Sequence, residues 1–192
     1  MSLIIDSIPE SVEVGGKNLP INTDFRTSIL FELLMQDKTI ESEDKFETTL
    51  QLYYPVEILK ENKAEAITKA LWFYAGGTDA QEPTVGGKGS SSHDRRYSYE
   101  ADDIYIYAAF LDQFGIDLQD EDLHWWKFRA LFRSLKDDCK MSKILSYRSM
   151  PINSNMAKAE QKFYSEMKRL YALPDDRTEE EKENDFAEML SL

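Results

Sequence analysis

Leu123-His124-Trp125-Trp126-Lys127-Phe128-Arg129-Ala130-Leu131-Phe132 is the most specific stretch of this chain. Its large apolar residues recur at three- and four-residue intervals, which predicts one face of an amphipathic helix. The acidic run Asp120 to Asp122 precedes it and is expected to open that helix, where negative charge interacts favourably with the helix dipole. The stretch contains no nucleophile-base pair, no phosphate-binding loop and no metal-ligand spacing. It therefore indicates a helical binding or assembly domain.

The adjacent tryptophans allow two interpretations. Neighbours on a helix point about 100° apart, so Trp125 and Trp126 cannot both face one narrow core stripe. Trp125 follows the spacing of Phe128, and we therefore expect Trp126 to be partly exposed and to bind a partner protein together with Lys127 and Arg129. The alternative is a wide helix face that is buried on two sides within a bundle.

Similar spacing predicts helices along most of the chain. We expect them over about Phe25 to Gln36, Ser42 to Tyr53, a segment ending at Gly76-Gly77, Asp102 to Gly115, a segment reaching Arg148, and Met156 to Leu173. In the last helix the apolar stripe is expected to be buried, and it comprises Phe163, Met167, Leu170 and Tyr171. Alternating residues around Gly15-Gly16 predict a β-hairpin over Ser11 to Asn22. The fold class is therefore mainly α, with a small N-terminal β-hairpin.

Composition divides the 192 residues into three parts. Ala75 to Ser98 holds five of the eight glycines and three consecutive serines, which predicts a flexible Gly/Ser-rich loop in the middle of the chain. We predict a single mainly helical domain over residues 1–174, with the loop at about 75–98, because this length suits one domain plus an appendage. Residues 175–192 are predicted to form an acidic C-terminal helical tail.

The tail carries eight acidic and two basic residues, a net charge of −6. Phe186, Met189 and Leu190 are spaced for one face of a short helix. The tail is either a solubilising appendage or a helix that docks on a groove and contacts a partner.

Net charge limits the classes of partner. The chain has 36 acidic and 23 basic residues, a net charge of −13, which repels phosphate backbones and anionic membrane surfaces. Its N-terminus lacks the basic start and apolar run of a signal peptide, and no window approaches the ~18 apolar residues of a membrane span. The single Cys139 excludes an internal disulfide and fits a reducing cytoplasm. We expect neither nucleic acid nor membrane as a partner.

Candidate catalytic chemistry has simpler explanations. His124 stands at a predicted helix start and is read as a surface or capping residue, since no Ser or Cys nucleophile accompanies it. His93 lies in the predicted loop. The acidic pair Asp102-Asp103 belongs to the first turn of a helix rather than to a metal or glycosidase site. We expect no catalytic residues, no metal and no cofactor, and therefore no enzyme.

Four segments together resemble a known phage family. They are Ile21-Asn22-Thr23-Asp24-Phe25-Arg26, the run from Tyr105 to Leu118 with its Gly115-Ile116-Asp117-Leu118 corner, the Leu123 to Phe132 block, and Lys143-Ile144-Leu145-Ser146-Tyr147-Arg148. The chain resembles the bacteriophage "gene product fifteen" family of long-tailed phages and prophages of Gram-positive bacteria. The resemblance extends from the N-terminal hairpin to Pro174.

This resemblance implies a function that the residues alone do not. Members are short acidic cytoplasmic proteins whose genes lie between the tail-tube and tape-measure genes, a position typical of tail assembly chaperones. The chain would then bind the tape-measure protein in the host cytoplasm, with the tail-tube protein as a second candidate partner, and be absent from the mature virion. The alternative is a structural virion component, such as a minor tail or head-tail connector protein. An enzyme acting on nucleic acid or cell wall is disfavoured by the acidic charge and by the missing catalytic constellation. Self-association is left open.

Overall fold

The computed structural model describes residues 3–78 and 95–174. Its helices and strands confirm a mainly α fold with a small N-terminal hairpin. A short 3-10 turn, Lys60–Asn62, leads into the third helix. In chain order the elements are β1 (Ser11–Val14), β2 (Lys17–Pro20), α1 (Phe25–Gln36), α2 (Ser42–Tyr53), α3 (Lys63–Tyr74), α4 (Asp103–Phe114), α5 (Trp125–Arg133), α6 (Lys140–Ser149) and α7 (Lys158–Leu170).

The hairpin forms where the sequence places it. β1 and β2 pair antiparallel with Val12 opposite Leu19, and the two glycines between them form the turn. Val12 and Val14 alternate into the core while Glu13 is exposed, as expected for a strand with one buried face. Pro20 pairs with Ser11 at the end of the two-stranded sheet, where its missing amide hydrogen costs least.

Helix α5 begins later than the acidic run predicted. His124 is its N-cap residue, and Trp125 is its first helical residue. Asp120 to Asp122 lie before the helix, in a turn closed by bonds from the amides of Asp120 and Glu121 to the carbonyl oxygen of Asp117, at 3.1 and 3.0 Å. The expectation that these acids open the helix is wrong, because His124 has an extended backbone and its ring accepts the Trp126 amide, so the helix begins only after it.

The described residues fall into two compact units. Unit 1 takes residues 3–78 and 106–135, and unit 2 takes residues 95–105 and 136–174. The single domain predicted over residues 1–174 stays a prediction. Most of the predicted loop, residues 79–94, and the whole predicted tail, residues 175–192, lie outside the described residues.

Stacked aromatic rings form the core of unit 1. Phe128 is fully buried, and its ring stacks on those of Phe25 and Phe110 with centroids 4.8 and 4.9 Å apart. The buried hydroxyl groups of Ser28 and Tyr53 bond to each other at 3.0 Å, which satisfies two polar groups inside the core. The stack places residues from α1, α4 and α5 in one cluster, so these three helices depend on one another.

Arg26 fixes the chain between α4 and α5. Its Nη2 donates to the carbonyl oxygens of Leu118 and Gln119 at 2.6 and 3.1 Å, and its Nη1 bonds Asp24 at 2.9 Å. Asp24 in turn caps α1, since its carboxylate accepts the Arg26 amide at 2.7 Å. A segment without regular structure is thereby tied to the start of a helix distant in sequence.

A buried ion pair organises unit 2. Both terminal nitrogens of Arg148 bond the carboxylate of Asp102, at 2.6 and 2.8 Å, and Asp102 has no exposed surface. The same guanidinium donates to the carbonyl oxygens of Arg96 and Tyr171, at 2.9 and 2.6 Å. The Ser98 amide also donates to the carboxylate, at 2.9 Å. One side chain therefore holds together three segments that the sequence separates.

We expect Asp102→Asn to destabilise unit 2 strongly. Breaking a buried pair leaves the guanidinium charge uncompensated, a loss of about 3–5 kcal/mol. Asp103→Asn is the matched control, because Asp103 is exposed and a first-turn charge contributes only about 0.3–1 kcal/mol. Urea unfolding followed by circular dichroism measures both, and equal losses in the two variants would contradict the structural role assigned to the pair.

Candidate functional site

The start of α5 covers the end of α3. The indole nitrogen of Trp125 donates to the carbonyl oxygen of Tyr74 at 2.8 Å, and that of Trp126 donates to Phe73 at 2.7 Å. Arg129 adds a bond from Nη1 to the Tyr74 oxygen at 3.0 Å. The last carbonyls of a helix lack partners within it, and a cation is favourable at this end of the dipole. Trp125, Trp126 and Arg129 of α5 thus satisfy the last carbonyl groups of α3.

Two glycines allow this close approach. The amides of Gly76 and Gly77 bond back to Phe73 and Trp72, both at 3.0 Å, in the pattern of a Schellman motif. Both glycines have positive φ, 81° and 77°. A Cβ on Gly77 would lie 2.6 Å from the Trp126 ring, so a side chain there would displace the indole. The prediction that Gly76-Gly77 ends this helix is confirmed.

Trp126 is buried rather than partly exposed. It has 3% of its surface exposed, and its ring meets that of Trp72 edge-on with centroids 5.6 Å apart. The expectation of exposure is wrong, and the alternative of a helix face buried on two sides describes α5 correctly. The physical reason is that each indole N–H reaches a separate carbonyl at the end of α3. A side chain this buried offers almost no surface for the predicted contact with a partner protein.

Of the other predicted binding residues, the structure describes Lys127 and Arg129, and it places them in different environments. Lys127 is exposed, whereas Arg129 is half-buried and its guanidinium lies 5.7 Å from the centre of the Trp125 ring. Phe186, Met189 and Leu190 lie outside the described residues. The structure therefore brings Trp126 and Arg129 together at the end of α3 and leaves Lys127 apart from them.

His124 is a buried helix cap. Its Nδ1 accepts the Trp126 amide at 3.0 Å, and its Nε2 lies 3.1 Å from the carbonyl oxygen of Pro9. This pattern requires a neutral ring with the hydrogen on Nε2. Burial lowers the pKa of His124, although the bond to Pro9 opposes the shift. The predicted capping role is confirmed.

Other chemistry is limited within the described ranges. Among residues 3–78 and 95–174, no group of three or more His, Cys, Asp or Glu side chains is placed to hold a metal ion. Cys139 caps α6 through a bond from the Ser142 amide to Sγ at 3.4 Å. None of the helices described is both long enough and apolar enough to cross a bilayer.

Helix α7 presents a largely uncovered apolar face. Phe163 and Leu170 are 47% and 64% exposed, Met167 is half-buried, and no residue of this described helix is fully buried. We call Phe163, Met167 and Leu170 the α7 apolar face. Tyr147 of α6 packs beside it, with its ring 6.0 Å from those of Phe163 and Tyr171. The prediction that this stripe is buried is wrong for Phe163 and Leu170, and only partly right for Met167 and Tyr171.

The charge around this face differs from that of the chain as a whole. Helices α6 and α7 contain seven basic and two acidic residues, and because Arg148 is paired with Asp102, the others leave a net charge of +4 in a chain of −13. One of the two acids, Glu160, accepts the Ala157 amide at 3.1 Å and so caps its own helix. The exposed bases include Lys143, Lys162 and Arg169. The two helices that carry and neighbour the α7 apolar face are thus more basic than the rest of the chain.

Residues 4–173 match a protein-family model described as Bacteriophage Gp15 protein. The chain belongs to this family. The match extends from before the hairpin to beyond α7, which confirms the resemblance seen in the sequence, and it makes the chain a phage protein. No curated protein and no solved structure gives a significant match to it.

Sequence reasoning missed the α7 apolar face of this Gp15-family protein as a candidate site. The spacing of Phe163, Met167 and Leu170 identified the stripe, but spacing alone does not say what covers it. A second signal was present, since six of the thirteen residues of α7 are charged. A helix with this many charged residues favours a position at the protein surface. Its apolar stripe is then covered by a neighbour on one side at most.

We expect Gly77→Ala to destabilise this Gp15-family protein more than Gly16→Ala. Both glycines have positive φ, which costs a non-glycine residue about 1–2 kcal/mol. A Cβ on Gly16 meets nothing within 4 Å, whereas one on Gly77 meets the Trp126 ring. The difference between the two variants in urea unfolding therefore isolates the steric contact, and equal losses would show that the ring relaxes freely.

The neutral cap predicts a pH dependence of stability. Because the folded pKa of His124 is lowered, the unfolded chain binds more protons once the pH falls below the unfolded value of about 6.5. The stabilisation is complete above that pH and is lost below it, by at most about 1.4 kcal/mol per pH unit. His124→Asn keeps a side chain that can cap the helix but does not titrate. This variant should reduce the dependence of the free energy of unfolding on pH. His93→Gln is the control, and the same flattening there would contradict the assignment.

Proposed function

We propose that this phage protein is a tail morphogenesis factor, a tail assembly chaperone that binds the tape-measure protein before the tail tube polymerises. It acts in the host cytoplasm, without catalysis or a cofactor, and leaves before the virion matures. The proposal joins the chaperone role implied by the family resemblance to one structural observation. That observation is the exposed α7 apolar face.

The geometry of α7 suits a helical client. Phe163, Met167 and Leu170 are spaced at i, i+4 and i+7, so they form one stripe along the helix. A second amphipathic helix can lie along such a stripe and cover its own apolar residues at the same time. Phe163 and Leu170 are 47% and 64% exposed, and covering what remains exposed would contribute about 1–2 kcal/mol each. This binding would shield apolar helical surface that otherwise aggregates.

Net charge supports the same role. A complex that carries the chain's charge of −13 repels other copies of itself, which favours solubility. The negative charge also disfavours binding to nucleic acid, so the partner surface is expected to be protein. Since α6 and α7 are positive within this acidic chain, they would attract an acidic client segment before contact.

The test is co-expression with the tape-measure protein encoded beside this chain, followed by affinity capture and size-exclusion chromatography. We expect a soluble complex with the wild type. The double variant Phe163→Ser with Leu170→Ser should weaken binding by at least about thirtyfold, since about 2 kcal/mol of apolar contact is lost. Isothermal titration measures the affinities of the purified proteins.

The control is Leu30→Ser with Leu71→Ser. These leucines lie on α1 and α3 and are 53% and 47% exposed, close to the two α7 residues. The control should bind as the wild type does. If both double variants bind normally, the α7 apolar face is not the site, and Lys127→Ala then tests the surface predicted from the sequence. If the wild type does not bind and purified virions contain the chain stoichiometrically, it is a structural component.

A further inference from the structure

We propose that helix α1 docks a second partner, which is a basic amphipathic helix of another protein. The docking residues are Ile29, Leu30 and Leu33, which we call the α1 apolar face. This face belongs to unit 1, whereas the α7 apolar face belongs to unit 2, and the inference does not rest on the proposed chaperone function. Three features support it, namely the burial pattern of α1, the spacing of its exposed residues and the acidic turn beside them.

Helix α1 buries polar residues and exposes apolar ones. Thr27 and Ser28 are 6% and 0% exposed, whereas Leu30 is 53% exposed and Ile29 and Leu33 are half-buried. A surface helix normally has the reverse arrangement, with its polar residues toward water. Seven of the twelve residues of α1 are apolar and only two are charged. A helix of this composition gains stability when its outer side is covered as well.

The outward residues of α1 form one row. Arg26, Leu30 and Leu33 are spaced at i, i+4 and i+7, so they lie along one side of the helix. Ile29 stands one turn before Leu33 and widens the row. The apolar stripe of a second helix packs against a row with this spacing. No uncompensated charge interrupts the row, because Arg26 at its start is paired with Asp24 at 2.9 Å.

An acidic turn borders the start of this row. The Arg26 guanidinium bonds the carbonyl oxygens of Leu118 and Glu121 at 2.6 and 3.3 Å, which fixes the turn beside the first turn of α1. Asp120, Glu121 and Asp122 are exposed there. Within the described residues, none of these three carboxylates is paired with a base. Negative charge is therefore available at one end of the α1 apolar face.

Charge selects the occupant of this face. A partner helix that covers it brings one end of its own apolar stripe next to three carboxylates, so basic residues are favoured there and acidic residues are disfavoured. A second copy of this chain is disfavoured, because it adds a charge of −13 and the only base of its α1, Arg26, is already paired. The occupant is therefore an amphipathic helix with Lys or Arg beside its apolar stripe.

Titration with model helices tests the docking on the full chain. The probe is an amphipathic peptide of leucine and lysine, about 18 residues or five turns long. One counterpart replaces its lysines with glutamate, and the other replaces its leucines with serine. We expect the leucine-lysine peptide to bind at least about tenfold more tightly than either counterpart at about 0.1 M salt, because binding needs both apolar contact and opposite charge. Isothermal titration calorimetry measures the three affinities.

Variants of the chain locate the binding surface. Leu30→Ser should weaken binding of the leucine-lysine peptide about tenfold, since half of a leucine side chain loses its cover. The charge variant combines Asp120→Asn, Glu121→Gln and Asp122→Asn, and it should also weaken binding about tenfold at about 0.1 M salt. Its affinity should converge with that of the wild type at about 1 M salt, where the screening length is only about 3 Å.

The controls remove the same groups elsewhere on unit 1. Leu59→Ser removes a leucine that is 58% exposed, and Glu13→Gln, Glu57→Gln and Glu61→Gln together remove three exposed carboxylates. Both controls should bind as the wild type does. Circular dichroism checks that every variant is folded, and the charge variant tests the surface independently of Leu30.

Three results overturn the proposal. The first is no saturable binding of the leucine-lysine peptide up to about 1 mM, and the second is equal weakening in the controls, which would show unselective attraction to an acidic chain. The third is a wild-type dimer in light scattering that Leu30→Ser abolishes, because a second copy would then cover the face. Leu30→Ser should leave the affinity for the tape-measure protein unchanged, and Phe163→Ser with Leu170→Ser should leave the affinity for the peptide unchanged. The two proposals therefore fail separately.

Discussion

Unit 1 depends on the way α5 supplies hydrogen-bond partners to the ends of other helices. Its two indole N–H groups and Arg129 satisfy carbonyls at the end of α3. At its own start, the amide of Trp125 donates to Thr23 at 2.8 Å, while the amide of Phe25 donates to Leu123 at 3.0 Å. Unsatisfied helix ends are costly when buried. The aromatic core can therefore close around these ends only because α5 and its neighbours satisfy them.

Unit 2 is held differently. Arg148 joins Asp102 to the carbonyls of Arg96 and Tyr171, so a polar network rather than an aromatic stack fixes the start of α4 and the chain after α7. Phe163, Met167 and Leu170 take no part in this network.

Much of the fold follows from local sequence signals. The hairpin and the bounds of α1 and α2 agree with the predictions, because alternation and three- or four-residue spacing record which side of each segment is buried. The start of α5 was misplaced, since the acids before it resemble a first helical turn but belong to a turn closed on Asp117. Spacing also could not separate a half-covered stripe from a buried one, which is why Phe163 and Leu170 were assigned to the core.

The sequence by itself determined the mainly α class, the helix periodicities, the acidic charge and the family. These depend on residue type and near neighbours along the chain. Only the tertiary structure decided that Trp126 is buried, that His124 is a neutral cap, that Asp102 pairs with Arg148, and that the α7 apolar face is exposed. Each of these depends on a partner distant in sequence or on the lack of cover within the described residues. Side-chain burial is a property of packing, and local pattern limits it without fixing it.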